Sequence, residues 1–171
     1  VMIILLLLVS NLAYGQVLAF SETNWFTVKP EAPVYHDKKL GKKEILLAIE
    51  ITKVATKYNV DRNLFSCILK VESGYRTNVV SQTSDYGIGQ INKKTAESLS
   101  INLQKVLSNR MYALTESAKI LKSYKDVFSD DEPTLWFCRY NIGYQSYKKA
   151  GNYCQMYANR VNACLASQEY L

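Results

Sequence analysis

The sequence predicts a mainly α, single-domain protein, interrupted once by an irregular or short β segment after its second helix. Three observations carry this. Three stretches, 42–58, 61–74 and 108–124, place apolar residues at steps of three or four, the period of a helix with one buried face. Residues 79–92 break that period with Ser, Thr, Asp and two Gly in a short space. The chain has 171 residues, 48% hydrophobic and 21% charged, enough for one core and too few for two ordinary domains.

The elements follow in order. Met2 to Val9 is an unbroken apolar run, closed by the small-x-small site Ala13-Tyr14-Gly15. Eight apolar residues fall short of the roughly 20 that span a bilayer. We read 1–15 as a secretory signal peptide, a buried core helix being the other reading. Residues 16–41 hold Pro30, Pro33 and Gly41 without a period and form an N-terminal arm. The compact domain takes 42–171. Its first helix, Lys42 to Tyr58, has Ile45, Ala48, Ile49, Thr52, Ala55 and Tyr58 in phase. Asp61 caps a second helix with Leu64, Ile68, Val71 and Glu72 near one face, ending at Gly74. Ser108 to Tyr124 is helical, with Met111, Leu114, Ala118 and Leu121 aligned. Ser129-Asp130-Asp131-Glu132-Pro133 starts another helix, with acids and Pro in its first turn, running to about Asn141 and closed by Gly143. The last helix covers about Tyr153 to Ser167.

The formal net charge of +6 lies wholly beyond the first twenty residues and suits an acidic partner. The lysines are scattered in pairs such as Lys42-Lys43 and Lys93-Lys94, with no Arg-rich groove motif, so nucleic acid is not expected. Four cysteines and one histidine, His36, make neither a zinc site nor a Cys-His nucleophile pair. In an exported chain the cysteines read as cystines. Cys154 and Cys164 on one helix would stand about 15 Å apart, far beyond disulfide reach. Two pairings remain: Cys67–Cys154 with Cys138–Cys164, or Cys67–Cys164 with Cys138–Cys154.

Glu72 points with the apolar stripe of its helix. Taken alone it is a helix-end Glu at the edge of the core. Its sequel changes that reading: a polar loop, then Asp85-Tyr86-Gly87-Ile88-Gly89-Gln90-Ile91-Asn92. A Gly-rich turn admits close backbone approach, and Gln and Asn amides bridge sugar hydroxyls and acetamido groups. Glu72-Ser73, Ser81 and Gly87-Ile88-Gly89-Gln90 resemble the signature of the soluble lytic transglycosylase family, whose fold is lysozyme-like. There a catalytic Glu-Ser precedes a Ser and a Gly-Leu-Met-Gln block. Tyr140-Asn141-Ile142-Gly143 resembles its Ala-Tyr-Asn-x-Gly block, and Tyr157 with Val161 its closing Tyr-x-x-x-Val. The likeness covers about residues 42–165. Gly89 departs from the family's Met, and Arg139 from its Ala. Asp85 to Asn92 is also similar to the strand of chicken-type lysozymes, a flavour shared by small transglycosylases of secretion and conjugation machines.

The resemblance implies cleavage of the bond between N-acetylmuramic acid and N-acetylglucosamine in peptidoglycan, with a 1,6-anhydromuramoyl product. Glu72 would serve as acid and then as base, and Ser73, Ser81, Gln90, Tyr140, Asn141 and Tyr157 as substrate-binding residues, with Tyr157 approaching Glu72. Peptidoglycan strands and secretion or conjugation machinery are the partners it implies; with the signal and cysteine readings above, we expect a periplasmic or extracellular monomer with no cofactor, metal or membrane span. Two alternatives stay open. One is a lysozyme-type hydrolase with Asp85 as second carboxylate; the other reading of Asp85 is a turn residue capping its own backbone. The second alternative is a non-enzymatic glycan-binding or assembly module.

Overall fold

The structure is a computed structural model that describes residues 40–130, 135–143, 152–168 and 170–171. The proposed signal, nearly all of the arm, His36 and the Asp131-Glu132-Pro133 helix start lie outside them. Helix α1 (Lys42–Tyr58) starts where the Glu44 carboxylate accepts the Gly41 N–H at 2.7 Å and stops at Asn59 in the left-handed conformation. Helix α2 (Arg62–Ser73) is capped by Asp61, whose Oδ1 accepts the Leu64 N–H at 2.7 Å. It ends at Gly74, where φ is +60°.

After a loop, strands β1 (Asp85–Tyr86) and β2 (Ile91–Asn92) pair antiparallel, Asp85 opposite Asn92 and Tyr86 opposite Ile91. An isolated bridge joins Val80 to Tyr86. The irregular segment is therefore a short β excursion. Two short helices follow, α3 (Lys93–Ser98) and α4 (Leu103–Ser108), each capped by an Asn side chain, Asn92 and Asn102. Helix α5 (Arg110–Phe128) is the long central element, capped by Asn109. A 3₁₀ turn (Trp136–Cys138) leads into α6 (Arg139–Ile142), closed by Gly143, and α7 (Tyr153–Ser167) completes the domain.

Helix α2 is enclosed on nearly every side, with Phe65, Cys67, Ile68 and Leu69 fully buried. It packs against α1 and α7, while α1 also packs on α5. Leu114, Leu121, Val106, Ile88 and Val161 complete the interior. The disulfides are Cys67–Cys164 and Cys138–Cys154, with Cα separations of 5.7 and 5.3 Å. They select the second of the two pairings left open by helix geometry.

Two expectations are corrected. In α1 the buried face is Leu47, Ile51, Val54 and Ala55, whereas Ile45, Ile49 and Thr52 face outward. This helix carries apolar side chains on more than one face, so a helical period fits two phases, and packing on α2 and α5 chooses between them. The continuous helix expected up to Asn141 is, over 135–142, a 3₁₀ turn and one short α turn. The disulfide at Cys138 and the burial of Arg139, stacked 4.1 Å from the Phe128 ring centroid, hold it in that form. Among the described residues no helix is long and apolar enough to cross a membrane.

Candidate active site

The end of α2, the β turn, the start of α3, one face of α5 and α6 surround a cleft of about 460 Å³. Glu72 reaches it from the last turn of α2. Helix α2 cannot run further because Gly74 turns left-handed, so the carboxylate emerges where the buried helix meets the opening. Tyr157 of α7 donates its phenol proton to Glu72 Oε1 at 2.8 Å. Arg160, one turn later, donates Nη2 to the Val71 carbonyl at 3.0 Å.

Glu72 therefore feels opposing influences. Burial disfavours its charged form and is the largest; the Tyr157 hydrogen bond opposes it; the Asp85 charge adds to it; Arg160 opposes it. Burial prevails, and the carboxyl is pushed up to about 7. The Tyr157 phenol, 4% exposed and beside Glu72, is raised well above its ordinary value and stays a proton donor.

Asp85, on β1, faces the same cleft. Its Oδ2 accepts from Ser81 Oγ at 2.8 Å and from Thr83 Oγ1, and its Oδ1 accepts from Asn92 Nδ2 at 2.7 Å. These partners are side chains around the turn. The carboxylate thus braces the hairpin rather than capping its own backbone.

The turn between the strands presents Gln90 to the cleft. Gln90 has φ +47°, a left-handed conformation uncommon for a side-chain-bearing residue, and its Nε2 donates to the Gly87 carbonyl at 2.9 Å. The Gly89 carbonyl accepts the Tyr140 hydroxyl at 2.8 Å. A Cβ on Gly89 would collide with Ser117 Oγ and stand 2.7 Å from Tyr140 Oη. A side chain there would require Ser117 or Tyr140 to shift, and glycine is the residue that fits this contact as it stands. Ser117 is fully buried, and its Oγ lies near the Tyr140 hydroxyl without full hydrogen-bond geometry.

The residues singled out in the sequence fall into two groups. Glu72, Gln90, Tyr140 and Asn141 line the cleft. Ser73, Ser81 and Tyr157 are not among the residues that line it. Ser73 is 3% exposed and donates to the Ile88 carbonyl at 2.7 Å, fastening α2 to the Gly-rich turn. Ser81 serves Asp85, and Tyr157 serves Glu72. Thr83, Lys94, Thr95, Ile120 and Tyr124, not expected from the sequence, also line the cleft. Tyr124 had a visible signal, since it continues the stripe of Leu114, Ser117 and Leu121 on α5. No group of three or more His, Cys, Asp or Glu among the described residues could hold a metal ion.

A half-buried acid at a helix end, beside a second carboxylate and a polar cleft wall of Gln and Asn amides, can donate a proton to a polar ligand held by those amides. A family model described as Transglycosylase SLT domain matches residues 50–162, more than half of the chain. No curated protein and no solved structure matches it.

Proposed function

The chain belongs to the transglycosylase SLT domain family and is a peptidoglycan lytic transglycosylase; we propose that Glu72 cleaves the β-1,4 bond from N-acetylmuramic acid to N-acetylglucosamine, leaving a 1,6-anhydromuramoyl end. The observation that carries this reading is the Glu72 carboxyl, held by Tyr157 at the cleft with its pKa lifted to about 7. An acid works best when its pKa lies near the operating pH, because it is then protonated and still ready to give the proton up.

In the first step Glu72 gives its proton to the bridging oxygen. The bond from that oxygen to muramoyl C1 breaks, and the electron pair leaves with the N-acetylglucosamine. The Glu72 carboxylate then takes the proton of the muramoyl 6-hydroxyl while O6 bonds to C1. Glu72 ends protonated, no water is consumed, and no second carboxylate is needed. Asp85 would act through its charge, which favours protonated Glu72. Its oxygens already accept three side-chain donors, which weakens it as a nucleophile. The peptidoglycan-acting domain and the two disulfides point to an exported protein, and we read its site of action as the periplasm or the extracellular space.

Mass spectrometry of digested peptidoglycan tests the chemistry: muramoyl ends should be one water lighter than hydrolytic ends. Glu72→Gln should fold and lose at least about a hundredfold in rate. Asp85→Asn should stay within about tenfold of wild type, since it removes a charge and one acceptor of the hairpin brace but no reacting group. Hydrolytic ends, with Asp85→Asn as dead as Glu72→Gln, would instead establish the two-carboxylate mechanism.

A further inference from the structure

The described lining of the cleft contains two acids, Glu72 and Asp85, and one cation, Lys94. Lys94 lies at the start of α3, immediately after β2. Its backbone N–H is held by Asn92 Oδ1 at 3.0 Å, and the Nδ2 of the same Asn92 donates to Asp85 Oδ1 at 2.7 Å. One side chain therefore fixes Lys94 to the wall that carries Asp85. The neighbouring Lys93 pairs with Glu97 at 3.9 Å along the helix. Lys94 is exposed and has no ion pair among the described residues.

A cleft that held only neutral sugar rings would have no use for such a cation. With Asp85 charged, and Glu72 charged above about pH 7, it would also repel any anionic substituent on the polymer. Peptidoglycan strands carry their negative charge on one sugar only. The muramoyl unit bears a 3-O-lactyl group, which ends either in a free carboxylate or in an amide-linked peptide with carboxylates of its own. We propose that Lys94 forms a carboxylate subsite that reads this muramoyl substituent and so sets the register of the strand in the cleft. This rests on the peptidoglycan reading above. A lysine suits the task because its mobile point charge can follow a carboxylate whose position varies between a short lactyl group and a longer peptide.

Equilibrium binding to the Glu72→Gln protein tests it without cleavage, so the result does not depend on the reaction assigned to Glu72. Three ligands are compared: a chitooligosaccharide with no carboxylate, glycan strands stripped of peptide, and peptide-bearing strands. Adding Lys94→Gln should raise Kd about two- to fivefold for carboxylate-bearing strands, the scale of a single solvent-accessible ion pair. It should leave the chitooligosaccharide unchanged, and Lys94→Arg should retain most of the affinity. A loss confined to stripped strands identifies the lactyl carboxylate, and a loss confined to peptide-bearing strands identifies the peptide. The effect should fade with added salt. An equal change for all three ligands, or no change for any, would overturn the subsite and leave the assignment of Glu72 standing. Hydrolytic muramoyl ends from the wild-type enzyme would overturn the anhydro product proposed above and leave the subsite standing.

Discussion

At Glu72 burial and hydrogen bonding pull in opposite directions, and burial prevails. With Glu72 as the proposed acid, free enzyme must carry its proton to begin the reaction, so kcat/KM should fall as pH rises through about 7. The Tyr157 hydroxyl donates to the carboxylate and favours its charged form. Tyr157→Phe removes that donor while leaving the burial. The pKa of Glu72 must then move up, and the falling limb of the profile must move to higher pH with it. A hydrogen bond to a charged group is of a size that corresponds to about one pH unit here. The maximal rate should drop as well, because the carboxyl loses its orientation. A pH–rate profile of Tyr157→Phe checks this; a limb that stays in place, or moves down, means that Tyr157 serves packing alone. That Tyr157 supports the acid was legible only through its place in a family-like block, since thirteen tyrosines offer no chemical reason to prefer one.

The β turn and helix α5 meet at a contact where the backbone leaves no room. Gly89 lies against Ser117, and its carbonyl holds the Tyr140 hydroxyl. Gly89→Ala should destabilise the protein by about 1–3 kcal/mol, the usual cost of overpacking. It should also loosen Tyr140 and weaken substrate binding. Ser117→Ala alone should be nearly neutral, because the hydroxyl it removes makes no full hydrogen bond among the described residues. In the double variant Ser117→Ala should recover part of the Gly89→Ala loss, since Oγ is the closest atom struck. Denaturant unfolding of the three variants checks the cycle; strict additivity would show that the contact is not shared. This contact was invisible in the sequence because it joins residues 28 positions apart through a glycine. Elements with their own punctuation were legible: Asp61 and Gly74 bracket α2, and a clean apolar stripe marks α5. Helix α1 was legible as a helix but not in phase, because Ile45 and Ile49 compete with Leu47 and Ile51 for the buried face. Helices α3 and α4 are too short for a period to register, although Asn92 and Asn102 stand at their starts as capping residues.

Across the whole domain, the acid and the opposite wall of the cleft come from segments far apart in the chain, and α7 is the element that joins them. Cys164 ties α7 to Cys67 within α2, five residues before Glu72. Cys154 ties the start of α7 to Cys138, two residues before Tyr140. Tyr157 lies on α7 between the two anchors and reaches Glu72. The two bridges differ in the loop they close: 97 residues of separation for Cys67–Cys164 and 16 for Cys138–Cys154. If the main effect is on the unfolded chain, removing the first should cost about 4–5 kcal/mol and the second about 3 kcal/mol. Function should rank them the other way at equal folded fraction. Cys138→Ala with Cys154→Ala frees the short segment that carries Tyr140 and Asn141, so KM should rise while the pH limb set by Glu72 stays in place. Cys67→Ala with Cys164→Ala leaves α2 held by its enclosed apolar faces, so the surviving folded protein should keep a nearly normal KM. Non-reducing peptide mapping should first recover links Cys67–Cys164 and Cys138–Cys154. Unfolding and kinetics on the paired variants then decide the matter. A larger stability loss from the Cys138–Cys154 pair, or an unchanged KM without it, would mean that the short bridge does not brace the cleft wall.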